Sequence, residues 1–143
     1  MLAELVAPLE GLELARLIRT SRTLYPLANG THILAFAILV GSIAVYDITI
    51  LRGISDRQLA TAVLPVTWAS FAATVLSGGL LFATRATHYA ENPAFIFKFG
   101  LVVAAALNML AFHRAIMPMR ASAALSLVLW ASTLMAGRWI GFL

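Results

Sequence analysis

Four long apolar stretches separated by short polar links dominate the hydrophobic pattern of the chain. The first runs from about Pro26 to Leu51, the second from about Leu59 to Thr84, the third from Pro93 to about Met117 and the fourth from about Ala121 to Phe142. At about 1.5 Å per residue, each is long enough as a helix to cross a hydrocarbon core of roughly 30 Å. The links cover 52–58, 85–92 and 114–120. Pro26 suits a first helical turn, where its missing N–H has no partner to lose. Pro65 predicts either a later start or a kink in the second stretch, and Pro118 stops the third. Ala69, Ala73, Gly78 and Gly79 give the second stretch a small-residue face for close helix approach. Ahead of the first stretch, Leu2, Leu5, Leu9, Leu12, Ala15 and Ile18 recur at helical spacing among Glu4, Glu13, Arg16 and Arg19. Pro8 and Gly11 divide this segment into two short helices. A segment with one apolar face beside a span is expected to lie in the membrane interface. The pattern therefore predicts an all-α integral membrane four-helix bundle over 24–143, with an amphipathic interfacial segment at 1–23.

Composition narrows the picture. Of 143 residues, 62% are hydrophobic and only 11% charged, with a mean hydropathy of +0.92. A soluble domain would carry roughly a quarter of its residues as charges. There are no cysteines, which excludes disulfides, thiolate metal sites and cysteine nucleophiles. The net charge of +4 comes from ten Lys and Arg scattered at helix ends. That is how spans are flanked; no basic run interleaved with aromatics suggests nucleic acid. The N-terminus carries Glu4, Glu10 and Glu13 without a basic n-region, so it reads as part of the mature protein rather than a cleavable signal. No paired-carboxylate site, nucleophile elbow, P-loop or zinc-protease motif is present, and no independent catalytic activity is expected.

Four spans place both termini on one side, here termed side A, together with the link 85–92. Side B holds the links 52–58 and 114–120. Arg16, Arg19, Arg22 and Arg85 lie on side A, and Arg52, Arg57, Arg114 and Arg120 on side B. The side B links are short and hug the spans, where the positive-inside rule acts most strongly, which points to side B as cytoplasmic.

Ionisable residues inside spans cost roughly 2.5–3.5 kcal/mol on insertion scales and need a partner or a purpose. His32, Asp47, Lys98 and Arg138 are the candidates. His32 lies about 9 Å in from side A, and Lys98 and Arg138 about 7–8 Å, so three helices contribute to one layer. Arg85, His88, Tyr89 and Glu91 lie just above it. The layer is net positive with one imidazole. It suits haem b, with the histidine on iron and basic side chains on the propionates, or a quinone headgroup, or a lipid phosphate. The competing readings are snorkelling of Lys98 and Arg138 to the interface and a purely structural hydrogen bond from His32. His88 could serve as a second axial ligand only if the link re-entered the membrane; otherwise it meets a propionate or lipid headgroup. Asp47 reads as a helix-end charge paired with Arg52, Arg57 or Arg114, with a proton relay as the alternative. On side B, His113, Met117 and Met119 around Pro118 form a candidate Cu(I) site, with ordinary packing as the alternative.

The first span, "LYPLANGTHILAFAILVGSIAVYDITILRG", and the stretch "ATRATHYAENPAFIFKFGLVVAAALNMLAFHR" resemble a family of small bacterial membrane proteins, distantly similar to copper-resistance D-type membrane domains. The specific pieces are His32 followed by Val40-Gly41, and Asn92-Pro93 with Lys98 ahead of Asn108. HemJ-type protoporphyrinogen oxidases are similar in outline, with an early-span histidine and a lysine starting the third span. The resemblance implies a bacterial inner-membrane location, His32 as a haem ligand and Lys98 as its functional partner. The expected function is haem-b binding or a redox-associated role, with Lys98, Arg138 and Arg85 steadying the propionates. The alternatives are a non-catalytic accessory subunit, in a larger complex or a homo-oligomer, and copper handling.

Overall fold

The computed structural model describes residues 2–54 and 57–140. These residues form seven helices: α1 (Leu2–Glu10), α2 (Glu13–Thr20), α3 (Leu24–Leu51), α4 (Arg57–Thr84), α5 (Ala86–Glu91), α6 (Pro93–His113) and α7 (Met119–Trp139). Among the described residues there is no strand. Four of the helices, α3, α4, α6 and α7, are long and apolar enough to cross a membrane. Their outward faces are apolar, with Leu34, Leu76, Phe97 and Val128 all more than 60% exposed. So large an apolar exterior needs lipid around it. The chain is an all-α, multi-pass membrane bundle.

Local chemistry explains most boundaries. Asn92 caps α6: its Oδ1 accepts from the Ala94 and Phe95 amides at 2.9 and 3.2 Å, and Pro93 follows at the first helical position. The other end of α6 corrects the expected span. The helix stops at His113, not near Met117. Pro118 disfavours helical backbone at Met117, so the chain turns earlier, with Ala115 in the left-handed region at φ 51°. The amide of Ile116 closes the turn on the Ala111 carbonyl at 3.0 Å. Pro118 then stands at the entry to α7. Pro65 lies inside α4, which begins at Arg57. Phe142, where the pattern ends the fourth span, lies outside the described residues.

The helices that touch are α3 with α4, α3 with α7, and α6 with α7. Among the described residues, no Cα of α4 lies within 8 Å of one in α6. The bundle therefore has three tight sides and one wide seam. Side chains bridge that seam: Phe82 stacks on Phe95 at 5.2 Å at the side A end, and Trp68 meets His113 edge-on at 5.6 Å at the side B end. The centre is a cluster of Phe36, Leu39, Ile43, Ala105 and Trp130.

The close-approach face of α4 differs from the expected one. Ala69 and Gly79 are exposed. Thr67, Ser70, Ser77, Leu81 and Thr84 are buried instead. Their hydroxyls bond carbonyls of their own helix, for example Ser70 to Val66 at 2.7 Å and Thr84 to Leu81 at 2.6 Å. A satisfied hydroxyl is small enough to let helices approach and costs little in an apolar seam.

The N-terminal helices dock on the side A end, α1 against α5 and α2 against α3 and α4. The break falls at Gly11–Leu12, with Pro8 inside α1. Ala15 and Ile18 face the bundle, while Leu5, Leu12, Leu14 and Leu17 are exposed. Glu10 Oε1 accepts from the Thr87 amide at 2.8 Å and its hydroxyl at 2.6 Å. Those two bonds, with the Arg19 guanidinium 3.7 Å from Oε2, hold the Glu10 carboxyl below the usual carboxylate range.

Candidate functional site

His32 and Lys98 come together in the side A half of the bundle, around one ring. The His32 imidazole stacks on Phe36 with centroids 6.4 Å apart. Lys98 Nζ, from α6, lies 5.5 Å from the centroid of the same phenyl ring, a cation–π distance. Two glycines make the space. A Cβ on Gly78 of α4 would sit 3.0 Å from His32 Cε1, and one on Gly137 of α7 would sit 3.2 Å from Lys98 Nζ. The pair Gly78-Gly79 thus has a use the sequence did not disclose: its first member seats the imidazole.

Hydrogen bonds to α4 orient the imidazole. His32 Nδ1 lies 3.0 Å from Ser77 Oγ. A hydroxyl has one hydrogen, and Ser77 directs it to its own helix, to the Ala73 carbonyl at 2.6 Å. In the tautomer protonated on Nδ1 alone, that nitrogen donates to Ser77 and Nε2 keeps its lone pair. The Thr74 hydroxyl oxygen, one turn from Ser77 and Gly78 on α4, is buried without a hydrogen-bond partner. The layer therefore holds an oriented imidazole, a nearby ammonium group and a buried hydroxyl without a hydrogen-bond partner.

The remaining side A residues stand elsewhere. Arg138 follows Gly137 and is exposed at the end of α7. Arg85 is exposed between α4 and α5 and lines a separate open basin of about 280 Å³ with Arg19, Arg22 and Tyr25. His88 is exposed on α5, its ring 5.8 Å from that of Tyr89. The short helix α5 takes the place of a re-entrant link, and His88 is not turned into the bundle. Burial raises the Tyr89 hydroxyl above its ordinary range, with the neighbouring Tyr25 adding to the effect.

On side B the candidate copper ligands are differently employed. His113 Nδ1 donates to the Met109 carbonyl at 2.9 Å, and its ring packs on Trp68 and Phe112. Met119 is exposed at the start of α7 and Met117 is half-buried in the turn. Among the described residues, no group of three or more His, Cys, Asp and Glu is placed to hold a metal ion.

Asp47 overturns its sequence reading. It is only 6% exposed, facing inward one turn before the end of α3. Ser126 of α7 hydrogen-bonds its carboxyl, while Oδ2 is buried with no partner. No arginine pairs with it among the described residues. The reason is helical phase. Ile43 and Asp47 are one turn apart on the face that carries Phe36 and Leu39 inward, whereas Arg52 caps the helix and is exposed. That spacing was available in the sequence and is the signal that could have found it.

Comparison of the chain with protein-family models, characterised proteins and solved structures finds no match.

Proposed function

We propose that the chain is a redox-associated membrane protein that holds haem b through His32. One observation carries this reading: His32 Nδ1 lies 3.0 Å from Ser77 Oγ, a contact that can orient the ring for a ligand at Nε2, and Lys98 packs on the same phenyl ring as the imidazole. Ligating histidines are typically oriented by such a bond from the other ring nitrogen. His32 would hold the haem iron and Lys98 would pair with a propionate; His88, exposed on α5, is not placed to join His32. Haem, when bound, supplies one-electron chemistry. The protein's own part is to orient the imidazole through Ser77 and Gly78, to offset negative charge through Lys98, and to keep water out with Phe36 and Trp130, whose rings pack 6.1 Å apart.

The test is a reduced-minus-oxidised spectrum of protein purified after expression with haem supplied. A Soret and α-band signal lost in His32→Ala is expected, and Ser77→Ala should weaken haem binding by about 10–100-fold. Absence of any haem signal in the unaltered protein overturns the reading.

A quinone headgroup is the second reading. It is favoured by an imidazole and an ammonium group, both able to hydrogen-bond a carbonyl, packed on one phenyl ring at 6.4 and 5.5 Å. It predicts tight quinone retention in haem-free protein. The resemblance supports a bacterial cytoplasmic membrane, and the short basic links support side B as the cytoplasmic face. The wide α4–α6 seam offers a place for other membrane subunits or a second copy. Copper handling at His113, Met117 and Met119 has the least support, since His113 is engaged in ring packing.

A further inference from the structure

In the side B half, distinct from the His32 layer, the four spans line a small, partly open cavity of about 40 Å³ with mainly apolar walls and a few polar side chains. Every span contributes to its wall: Asp47 from α3, Thr67 and Trp68 from α4, Asn108 and His113 from α6, Ser122 and Ser126 from α7. We propose that this cavity is a binding site for one monovalent cation, a proton or a sodium ion, held by the Asp47 carboxylate.

The hydrogen-bond inventory argues for it. Asn108 Nδ2 donates to the Ser122 carbonyl at 3.0 Å, and the Ser122 hydroxyl donates to Asn108 Oδ1 at 3.1 Å. This reciprocal pair uses the Ser122 hydrogen and one of the two Asn108 N–H hydrogens, and leaves the amide oxygen with a spare lone pair. The Thr67 hydroxyl hydrogen is shared between Ser42 Oγ at 2.9 Å and the Val63 carbonyl at 3.1 Å. The Ser126 hydroxyl meets the Asp47 carboxyl, but Oδ2 is buried without a hydrogen-bond partner. A carboxylate buried within a span with one oxygen unpartnered needs a positive charge.

Charge and size choose the ion. A single carboxylate neutralises one unit of charge, so a divalent ion would leave an excess inside the membrane. The other titratable groups in the wall are Tyr46 on α3 and His113 on α6; α4 and α7 contribute none. A volume of about 40 Å³ takes a small ion with a water or two, since one water needs at least roughly 10–15 Å³ on this measure. Geometry also chooses the side. Asp47 is about 6 Å from the side B end of α3, and about 22 Å along the helix from His32. The Phe36, Leu39, Ile43, Ala105 and Trp130 cluster fills the interval. The shorter route for exchange is to side B.

Carbodiimide labelling tests this directly. N,N′-Dicyclohexylcarbodiimide attacks un-ionised carboxyls in apolar surroundings, and peptide mass spectrometry locates the adduct. Purified full-length protein is labelled across a pH series, in sodium or in choline at equal ionic strength. Asp47 is expected to be the acid modified, faster as the pH falls, with the label lost in Asp47→Asn. Severalfold protection by sodium identifies sodium as an occupant; pH dependence without protection identifies the proton alone. No label on Asp47 at any pH, or labelling indifferent to both pH and sodium, overturns the proposal. The decisive readout is on the unaltered protein, so it stands even if the Asn variant folds poorly. Repeating it in His32→Ala separates it from the haem reading.

Discussion

At the scale of single residues, the two glycines beside His32 and Lys98 are not equivalent. A Cβ at Gly78 meets an imidazole ring held by Ser77, whereas one at Gly137 meets the far end of a flexible lysine. Gly78→Ala should therefore displace His32, abolish any haem or quinone signal and lower the unfolding temperature in detergent. Gly137→Ala should leave the unfolding temperature nearly unchanged. Gly53 is a third case. Its φ is +74°, and a Cβ there would lie 2.8 Å from Arg120 Nη2. Gly53→Ala is expected to cost about 1–2 kcal/mol from left-handed backbone strain alone, measurable by denaturant titration in mild detergent. The His32–Lys98 pairing was legible from depth counting, because depth follows directly from residue number. Its glycine seats were not, because a glycine's neighbours across a bundle depend on helix rotation.

At the scale of elements, Glu10 latches the N-terminal helices to α5. Its folded-state carboxyl is held below the usual carboxylate range, chiefly by the two bonds from Thr87 and then by Arg19. The sign of the linkage follows. The latch contributes fully above the unfolded-state value and is lost as pH falls through the depressed folded-state value. Acidification into that window should free α1 and α2, seen as faster proteolysis within 1–20 while the spans stay protected. Glu10→Gln should produce the same cleavage at neutral pH. The end of α6 shows how one residue redraws an element. Pro118 was read as the stop, yet its constraint acts on the residue before it, and the turn forms earlier, through Ala115.

At the scale of the whole molecule, the absence of cysteines makes topology directly measurable. Single cysteines at Ser21 and Thr87 should react with a membrane-impermeant maleimide from one face, and those at Ile54 and Ile116 from the other. If side B is cytoplasmic, the second pair is protected in intact cells. A mixed pattern would contradict four spans. The wide α4–α6 seam is a property of this scale only. It arises because α3 packs on both α4 and α7 while α6 packs on α7, and nothing in either seam helix alone announces it.

The sequence by itself determined the four spans, their lengths to within a few residues, the cap at Asn92-Pro93 and the common depth of His32 and Lys98. Hydropathy, proline geometry and the fixed helical rise suffice for these, since each depends on position along one helix. Only the tertiary structure decided which faces meet. In a soluble protein the polar side of a helix marks its outside, but lipid accepts apolar residues all round, and that contrast is erased. The satisfied hydroxyl stripe of α4, the glycine seats of the imidazole and ammonium, and the inward turn of Asp47 all rest on rotation of one helix against another. The outline of a four-helix membrane bundle was therefore readable in advance, while the acid inside it was taken for a helix-end charge.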